Sequence, residues 1–285
     1  MKNKLKGMFF GLFVGDAIGT TLEFKVLGEQ PRIHDMVGGG VFKLKPGEWT
    51  DDGSMALCLA ESILDNHSIN KADIMRRFAR WYLYGDCSSN GKCFDIGGTC
   101  KKYINDFISK KGVYEDADNL HWESGNGSIM RAAPALIPWK GKEAISAAQE
   151  QGITTHGSDT CKEYMEKLSL VILNCLDGVY PEPDLEIKNT SEEELSTSGY
   201  VVDTYDAALW AFWNTDNFRD CILAAANLCG DADTIAAVAG QIAGAWYGFD
   251  SIPSEWFEKL SLREHLEETF EQLYLLRENN TVVDS

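Results

Sequence analysis

The sequence predicts an all-α protein, and three observations carry that prediction. Apolar residues recur at helical spacing along most of the chain. No set of alternating, β-branched runs recurs with hairpin turns between them, so a large sheet is not expected. Small-residue stretches such as residues 236–248, AAVAGQIAGAWYG, suit close helix–helix contact, with Gly240 and Gly244 spaced so that a neighbouring backbone can approach.

Helices are expected near 3–20, 53–65, 71–84, 98–109, 126–137, 143–153, 159–177, 203–214, 217–228, 232–247 and 254–277. The first is apolar almost throughout, KLKGMFFGLFVGDAIG. The second follows paired aspartates in EWTDDGSMALCLAESIL. The fourth begins after Phe94-Asp95-Ile96-Gly97-Gly98, and the fifth is opened by Gly125-Asn126-Gly127-Ser128. The seventh starts near Ser158, after Thr155-His156-Gly157. The tenth is Ala-rich and opened by Asp231-Ala232-Asp233-Thr234. The others rest on apolar or amphipathic periodicity. Residues 181–198, with two prolines and six acidic residues, break the pattern. They read as an exposed loop inside a single domain of residues 1–285, because the motifs on its two sides need each other. No fixed-period repeat is evident.

Composition narrows the function classes. A hydrophobic fraction of 44% is ample for a buried core. With 26 basic and 44 acidic residues the formal charge is -18. That sign argues against general nucleic-acid binding and against an anionic membrane surface. A phosphate-bearing ligand remains compatible, with backbone donors or cations as mediators. None of the eight cysteines forms a C-x-x-C pair, so reduced, structural thiols are expected. The N-terminal lysines and apolar run are interrupted by Asp16, with no small-residue cleavage site after them, which argues against a signal peptide. No apolar run reaches the ~18 residues of a membrane span. The chain reads as cytoplasmic.

Two acidic clusters stand out, Thr50-Asp51-Asp52 and Asp231-Ala232-Asp233-Thr234, each at the mouth of a helix. Either alone is explained by N-capping. Together, in apolar surroundings, adjacent carboxylates repel unless a proton or a cation intervenes. Oxygen-only ligands suit hard cations such as Mg²⁺ or Mn²⁺ rather than zinc. Gly15-Asp16-Ala17-Ile18-Gly19 followed by Glu23 is compatible with tight packing or with a site. Gly-Asn-Gly-Ser at a helix start offers N–H groups to phosphate, without being a P-loop. By itself His156 reads as more often structural than catalytic, and Asp95 alone looks like an N-cap.

Taken jointly and in this order, the stretches GLFVGDAIGTTLEF, GEWTDDGSMAL, CFDIGGT, SGNGSIMRAAP, THG and SGYVVDTYDAALWAFWNT…NLCGDADTIAAVAGQIAGAWYG resemble the ADP-ribosylglycohydrolase family. The resemblance runs from residue 11 to 248. It implies a compact multi-helix bundle around a binuclear metal site holding two divalent cations, Mg²⁺ or Mn²⁺. By the same resemblance Thr50, Asp51, Asp52, Asp231, Asp233 and Thr234 are metal ligands. Glu23 matches a carboxylate near metal and ribose, and Asp95 matches the acidic position beside the scissile bond. Gly125, Asn126, Gly127, Ser128 and Met130 match a diphosphate cradle, and His156 a phosphate contact. Gly199 and Tyr200 match residues that help hold the nucleoside. The sequence departs at Gly53, where many relatives carry a second Thr.

The implied activity is metal-dependent release of ADP-ribose from modified side chains, arginine-linked first. Its partner would be an ADP-ribosylated protein or small-molecule conjugate, and its product ADP-ribose. At this level the alternatives stay open: a non-catalytic ADP-ribose binder on the same fold, a hydrolase of serine-linked or small-molecule conjugates, or a metal phosphohydrolase releasing phosphate or AMP.

Overall fold

A computed structural model describes residues 1–283, so residues 284 and 285 of the expected 1–285 unit lie outside the described residues. The elements are α1 (Lys2–Gly19), α2 (Asp51–Asn66), α3 (Lys71–Tyr84), α4 (Gly98–Ser109), α5 (Ala133–Leu136), α6 (Gly141–Gly152), α7 (Asp159–Asp177), α8 (Leu185–Asn189), α9 (Val201–Trp213), α10 (Phe218–Ala226), α11 (Ala232–Tyr247), α12 (Ser254–Lys259) and α13 (Arg263–Val283). The described residues form no strand, only the isolated bridges Gly39–Leu44 and Gly125–Tyr200. The all-α expectation holds.

The organising contact is a seam between α1 and α11. Glycine recurs every fourth residue along α1, at Gly7, Gly11, Gly15 and Gly19, and so lines one helical face. That face meets Gly244, Gly240, Ala236 and Ala232 in descending order, which makes the two helices antiparallel. A Cβ placed on Gly11 would lie 2.1 Å from the Gly240 carbonyl oxygen, and one on Gly240 would lie 2.0 Å from that of Gly11. The backbones therefore touch, and no side chain fits between them. Close contact brings the C-terminal turn of α1 directly against the N-terminus of α11.

A third element completes the junction. Trp49, fully buried, sets its ring edge-on to Phe13 with centroids 5.1 Å apart, fixing the entry to α2 against α1. Gly53 lies under that indole: a Cβ there would be 2.6 Å from two Trp49 ring atoms. The departure from Thr at this position is therefore steric. Asn70, Ser158 and Asn217 cap α3, α7 and α10 by accepting hydrogen bonds from Asp73, Cys161 and Asp220 N–H groups.

Three expectations are corrected. Residues 126–137 are mostly turns, with a helix only at Ala133–Leu136. The cause is tertiary: Asn126 N–H donates to Gly199 O at 3.0 Å and Val201 N–H to Ser124 O at 3.0 Å, pulling the segment into a bridge. Residues 254–277 are two helices, because Ser261 N–H donates to Gly47 O at 3.0 Å and Leu262 turns left-handed, φ 48°. Residues 181–198 remain largely exposed but carry α8, tied to α9 by Trp210 Nε1–H donating to Thr190 O at 2.9 Å and Trp213 Nε1–H to Pro181 O at 3.1 Å. All eight cysteines are free. No helix among the described residues is long and apolar enough to cross a membrane.

Candidate active site

Asp16 is the first piece of the site. It is fully buried on α1 between two seam glycines, and a carboxylate there needs donors. It finds three. Thr50 N–H and Gly53 N–H each donate at 2.8 Å, and the Thr50 hydroxyl lies 2.9 Å away. Asp16 thus clamps the first turn of α2 to α1. The Thr50 hydroxyl also lies 3.1 Å from Asp233 Oδ2, so its single proton is shared between two carboxylates from different helices.

Neither acidic cluster caps its helix: Thr50 and Asp231, the N-cap residues of α2 and α11, make no side-chain capping bond. The carboxylates converge instead. Asp51, Asp52 and Asp233 bring one oxygen each to within 4.8 Å of one another, and so do Glu23, Asp95 and Asp233. Asp233 belongs to both groups. Thr234 Oγ1 donates to Asp52 Oδ2 at 3.4 Å, and Asn126 Nδ2 donates to Asp231. Asp95 does not cap α4 either, since Gly97 occupies the cap. It is held at a left-handed φ of 60°.

Four carboxylate oxygens here, Glu23 Oε2, Asp52 Oδ1, Asp95 Oδ2 and Asp233 Oδ1, are buried without a hydrogen-bond partner. Such orphans require a proton or a compensating cation. Burial is the main cause of raised pKa values throughout: Asp51 and Asp52 are pushed well above the usual carboxylate range, Glu23 up to about 11 and Asp95 up to about 12. Asp233 is the largest neighbouring charge on both Glu23 and Asp95. Asp231 is pushed to about 7, and Asp233 and Asp16 to about 6. The donor set is oxygen only, clustered and orphaned. It fits a hard divalent cation and can hold a metal ion.

A cleft of about 330 Å³ is lined by Glu23, Asp51, Asp95, Asp231, Asp233 and Thr234. Gly125, Asn126, Gly127, Met130, His156 and Gly199 line it too. Thr50, Asp52 and Ser128 are buried and do not line it, and Tyr200 is exposed and does not line it either. A larger groove of about 670 Å³ between α7, α8 and α9 contains none of these residues.

Gly127 is demanded by packing, since a Cβ would lie 2.6 Å from His156 Cε1. His156 is buried and neutral, its pKa pushed down to about 3 by burial and then by Arg131. The fully buried Arg131 donates from Nη2 to Thr155 Oγ1 at 2.8 Å, and Thr155 Oγ1 lies 2.8 Å from His156 Nδ1.

Sequence reasoning noticed the GDAIG stretch but gave Asp16 no role, and missed Phe24, Ile96, Gly97, Gly98, Thr99 and Cys100 on the cleft wall. A charged residue inside an otherwise apolar helix was the signal for Asp16. The wall residues had no comparable signal.

Residues 1–282 match the family profile described as ADP-ribosylglycohydrolase. The chain is 40% identical to ADP-ribosylarginine hydrolase Tri1 of Serratia proteamaculans, across 96% of this chain and 80% of that protein. It is 33% identical to the ADP-ribosyl-[dinitrogen reductase] glycohydrolase of Rhodospirillum rubrum, across 90% of each. A solved structure, the ADP-ribosylglycohydrolase-related protein complex, superposes with a TM-score of 0.81 at 32% identity, covering 97% of this chain and 98% of that one. The chain belongs to the ADP-ribosylglycohydrolase family, and it is a glycosidic-bond hydrolase.

Proposed function

We propose that this protein hydrolyses the N-glycosidic bond of ADP-ribosylated arginine side chains, releasing ADP-ribose, with two divalent cations, Mg²⁺ or Mn²⁺, at the shared carboxylate cluster. The observation that carries this is the buried meeting of Asp51, Asp52 and Asp233 with Glu23 and Asp95 around orphaned oxygens. The arginine linkage is supported by the relatives named for that substrate.

Thr50, Asp51, Asp52, Asp231, Asp233 and Thr234 would hold the cations, with Asp16 fixing Thr50 from behind. When bound, the cations supply Lewis acidity to the ribose hydroxyls and to a water, and neutralise the cluster. Gly125, Asn126, Gly127 and Met130 would cradle the diphosphate. His156 would donate to it from Nε2: Arg131 can only donate to the Thr155 hydroxyl, which leaves that hydroxyl's proton for Nδ1. Gly199, which accepts from Asn126 N–H, and the adjacent Tyr200 would border the nucleoside.

The acid–base work falls to the Glu23 and Asp95 pair. Breaking the bond at the anomeric carbon builds oxocarbenium-like charge and leaves a nitrogen that needs a proton. Two carboxyls in reach of one another and of Asp233 divide those tasks, one taking a proton from water and the other delivering one to nitrogen.

Release of free ADP-ribose from an arginine-modified peptide is the test, with a serine-modified peptide alongside and with Mg²⁺, Mn²⁺ or chelator. Turnover on arginine that chelation abolishes is expected. Turnover undiminished in chelator, or release of AMP or phosphate instead, would overturn the proposal.

A further inference from the structure

Phe24 combines two features that folding disfavours. It is 62% exposed, and its backbone sits at φ 58°, a left-handed conformation rare for a bulky aromatic residue. That conformation is strained and persists only where surroundings enforce it. They do: Phe24 N–H donates to Gly230 O at 2.7 Å, Gly230 N–H donates to Lys25 O at 3.0 Å, and Asp231 N–H donates to Thr197 O at 2.9 Å. The same turn that presents Asp231 therefore clamps Phe24. Phe9, Phe10 and Phe13, earlier on the same stretch, are fully buried. Phe24 instead stands on the wall of the carboxylate cleft, next in chain to Glu23 and sharing that wall with Asp51, Asp95 and Ile96.

An aromatic ring on a cleft wall shared with carboxyl groups suits a planar cation. The ring's negative quadrupole attracts it, and its apolar surface accepts a flat, weakly hydrated group. Of the parts of an arginine-linked substrate, the diphosphate is anionic and the sugars are neutral. The departing guanidinium is the planar cation. In the reading above Glu23 and Asp95 take and deliver the protons of the bond that is cut, so the departing guanidinium lies beside them. We propose that Phe24 is a specificity-determining residue, its ring the platform for the guanidinium and the source of preference for arginine over neutral linkages. This inference rests on the arginine-directed function proposed above.

The test compares wild type with Phe24→Leu, Phe24→Met and Phe24→Trp. The measurements are kcat/KM on arginine- and serine-modified peptides and calorimetric Kd for ADP-ribose with Mg²⁺. Removing the ring face, in whichever of Leu and Met folds by circular dichroism, is expected to lower kcat/KM on arginine about tenfold. The same variants should change ADP-ribose affinity and serine turnover by less than about twofold, since neither involves the guanidinium. Trp, which keeps a ring face, should retain the arginine rate. Unchanged arginine turnover in the Leu or Met variant would overturn the inference. So would an equal loss on both linkages, or a parallel loss of ADP-ribose affinity, which would assign the ring to adenine stacking. Where serine turnover is below detection, arginine kcat/KM and ADP-ribose Kd decide between these outcomes. A wild-type protein that releases no ADP-ribose from arginine would sink the functional proposal itself, and this inference with it.

Discussion

Asp16 shows how much of the site is built from residues that never reach the cleft. Its two oxygens hold Thr50 and Gly53 N–H groups at 2.8 Å, which sets the pitch at which Asp51 and Asp52 leave α2. Asp16→Asn replaces one acceptor with a donor facing an N–H, so the first turn of α2 must shift. We expect divalent-cation affinity to fall by about 10–100-fold, as for other residues that orient metal ligands. Mg²⁺ or Mn²⁺ titration calorimetry measures it, and unchanged affinity would show that α2 is oriented without Asp16. Asp51→Asn and Asp233→Asn act on the cluster directly. Both should abolish ADP-ribose release while leaving the circular dichroism spectrum native, because each removes charge from a site already crowded with it. Full turnover in either variant would contradict the roles proposed for them. At this scale the sequence was informative about the carboxylates and silent about their partners. Paired aspartates are visible as text, whereas the Thr50 hydroxyl poised between Asp16 and Asp233 depends on residues 34 and 183 positions away.

Among the elements, the α1–α11 seam carries the consequence. Its backbones touch at Gly11 and Gly240, and a single methyl there meets a carbonyl oxygen at 2.1 Å or less. Gly11→Ala or Gly240→Ala must push the helices apart, because no flexible side chain is present to yield. A loss of roughly 3 kcal/mol is expected from such overpacking. Activity should fall further than stability, since moving α11 withdraws Asp231 and Asp233 from α2. Urea unfolding and turnover on the same samples test both halves, and a variant with wild-type stability would show the seam to be looser than it looks. The spacing of Gly240 and Gly244 announced that a backbone would come close, but not which one. The matching ridge of Gly7, Gly11, Gly15 and Gly19 lies more than 200 residues earlier. The seam is also why the N-terminal helix cannot be treated as a dispensable start.

For the molecule as a whole, the cluster ties stability to pH and to cations. Without cations, Glu23 and Asp95 keep their protons up to about 11 and 12, Asp231 to about 7, and Asp233 and Asp16 to about 6. Unfolded, each would ionise near ~4. The folded state thus binds more protons than the unfolded state above that point, so stability falls as pH rises. His156, pushed down to about 3, works in the opposite sense, but only below its ordinary value near 6.5. Melting in chelator should therefore drop steadily from pH 5 to pH 8, and saturating Mg²⁺ should flatten or reverse that slope by replacing protons. Melting temperatures independent of pH in chelator would show that the carboxylates are solvated after all. The helical class, most helix boundaries and the acidic motifs are legible along the chain, because periodicity and local chemistry are short-range properties written in consecutive residues. Long-range contacts make residues 126–137 turn instead of coiling and break residues 254–277 in two. The same kind of contact lets Asp16 clamp α2 and sets Phe24 on the cleft wall. Each of these is fixed by a hydrogen bond or a backbone contact to a segment far away in the chain, and such contacts leave no periodic trace for local patterning to show.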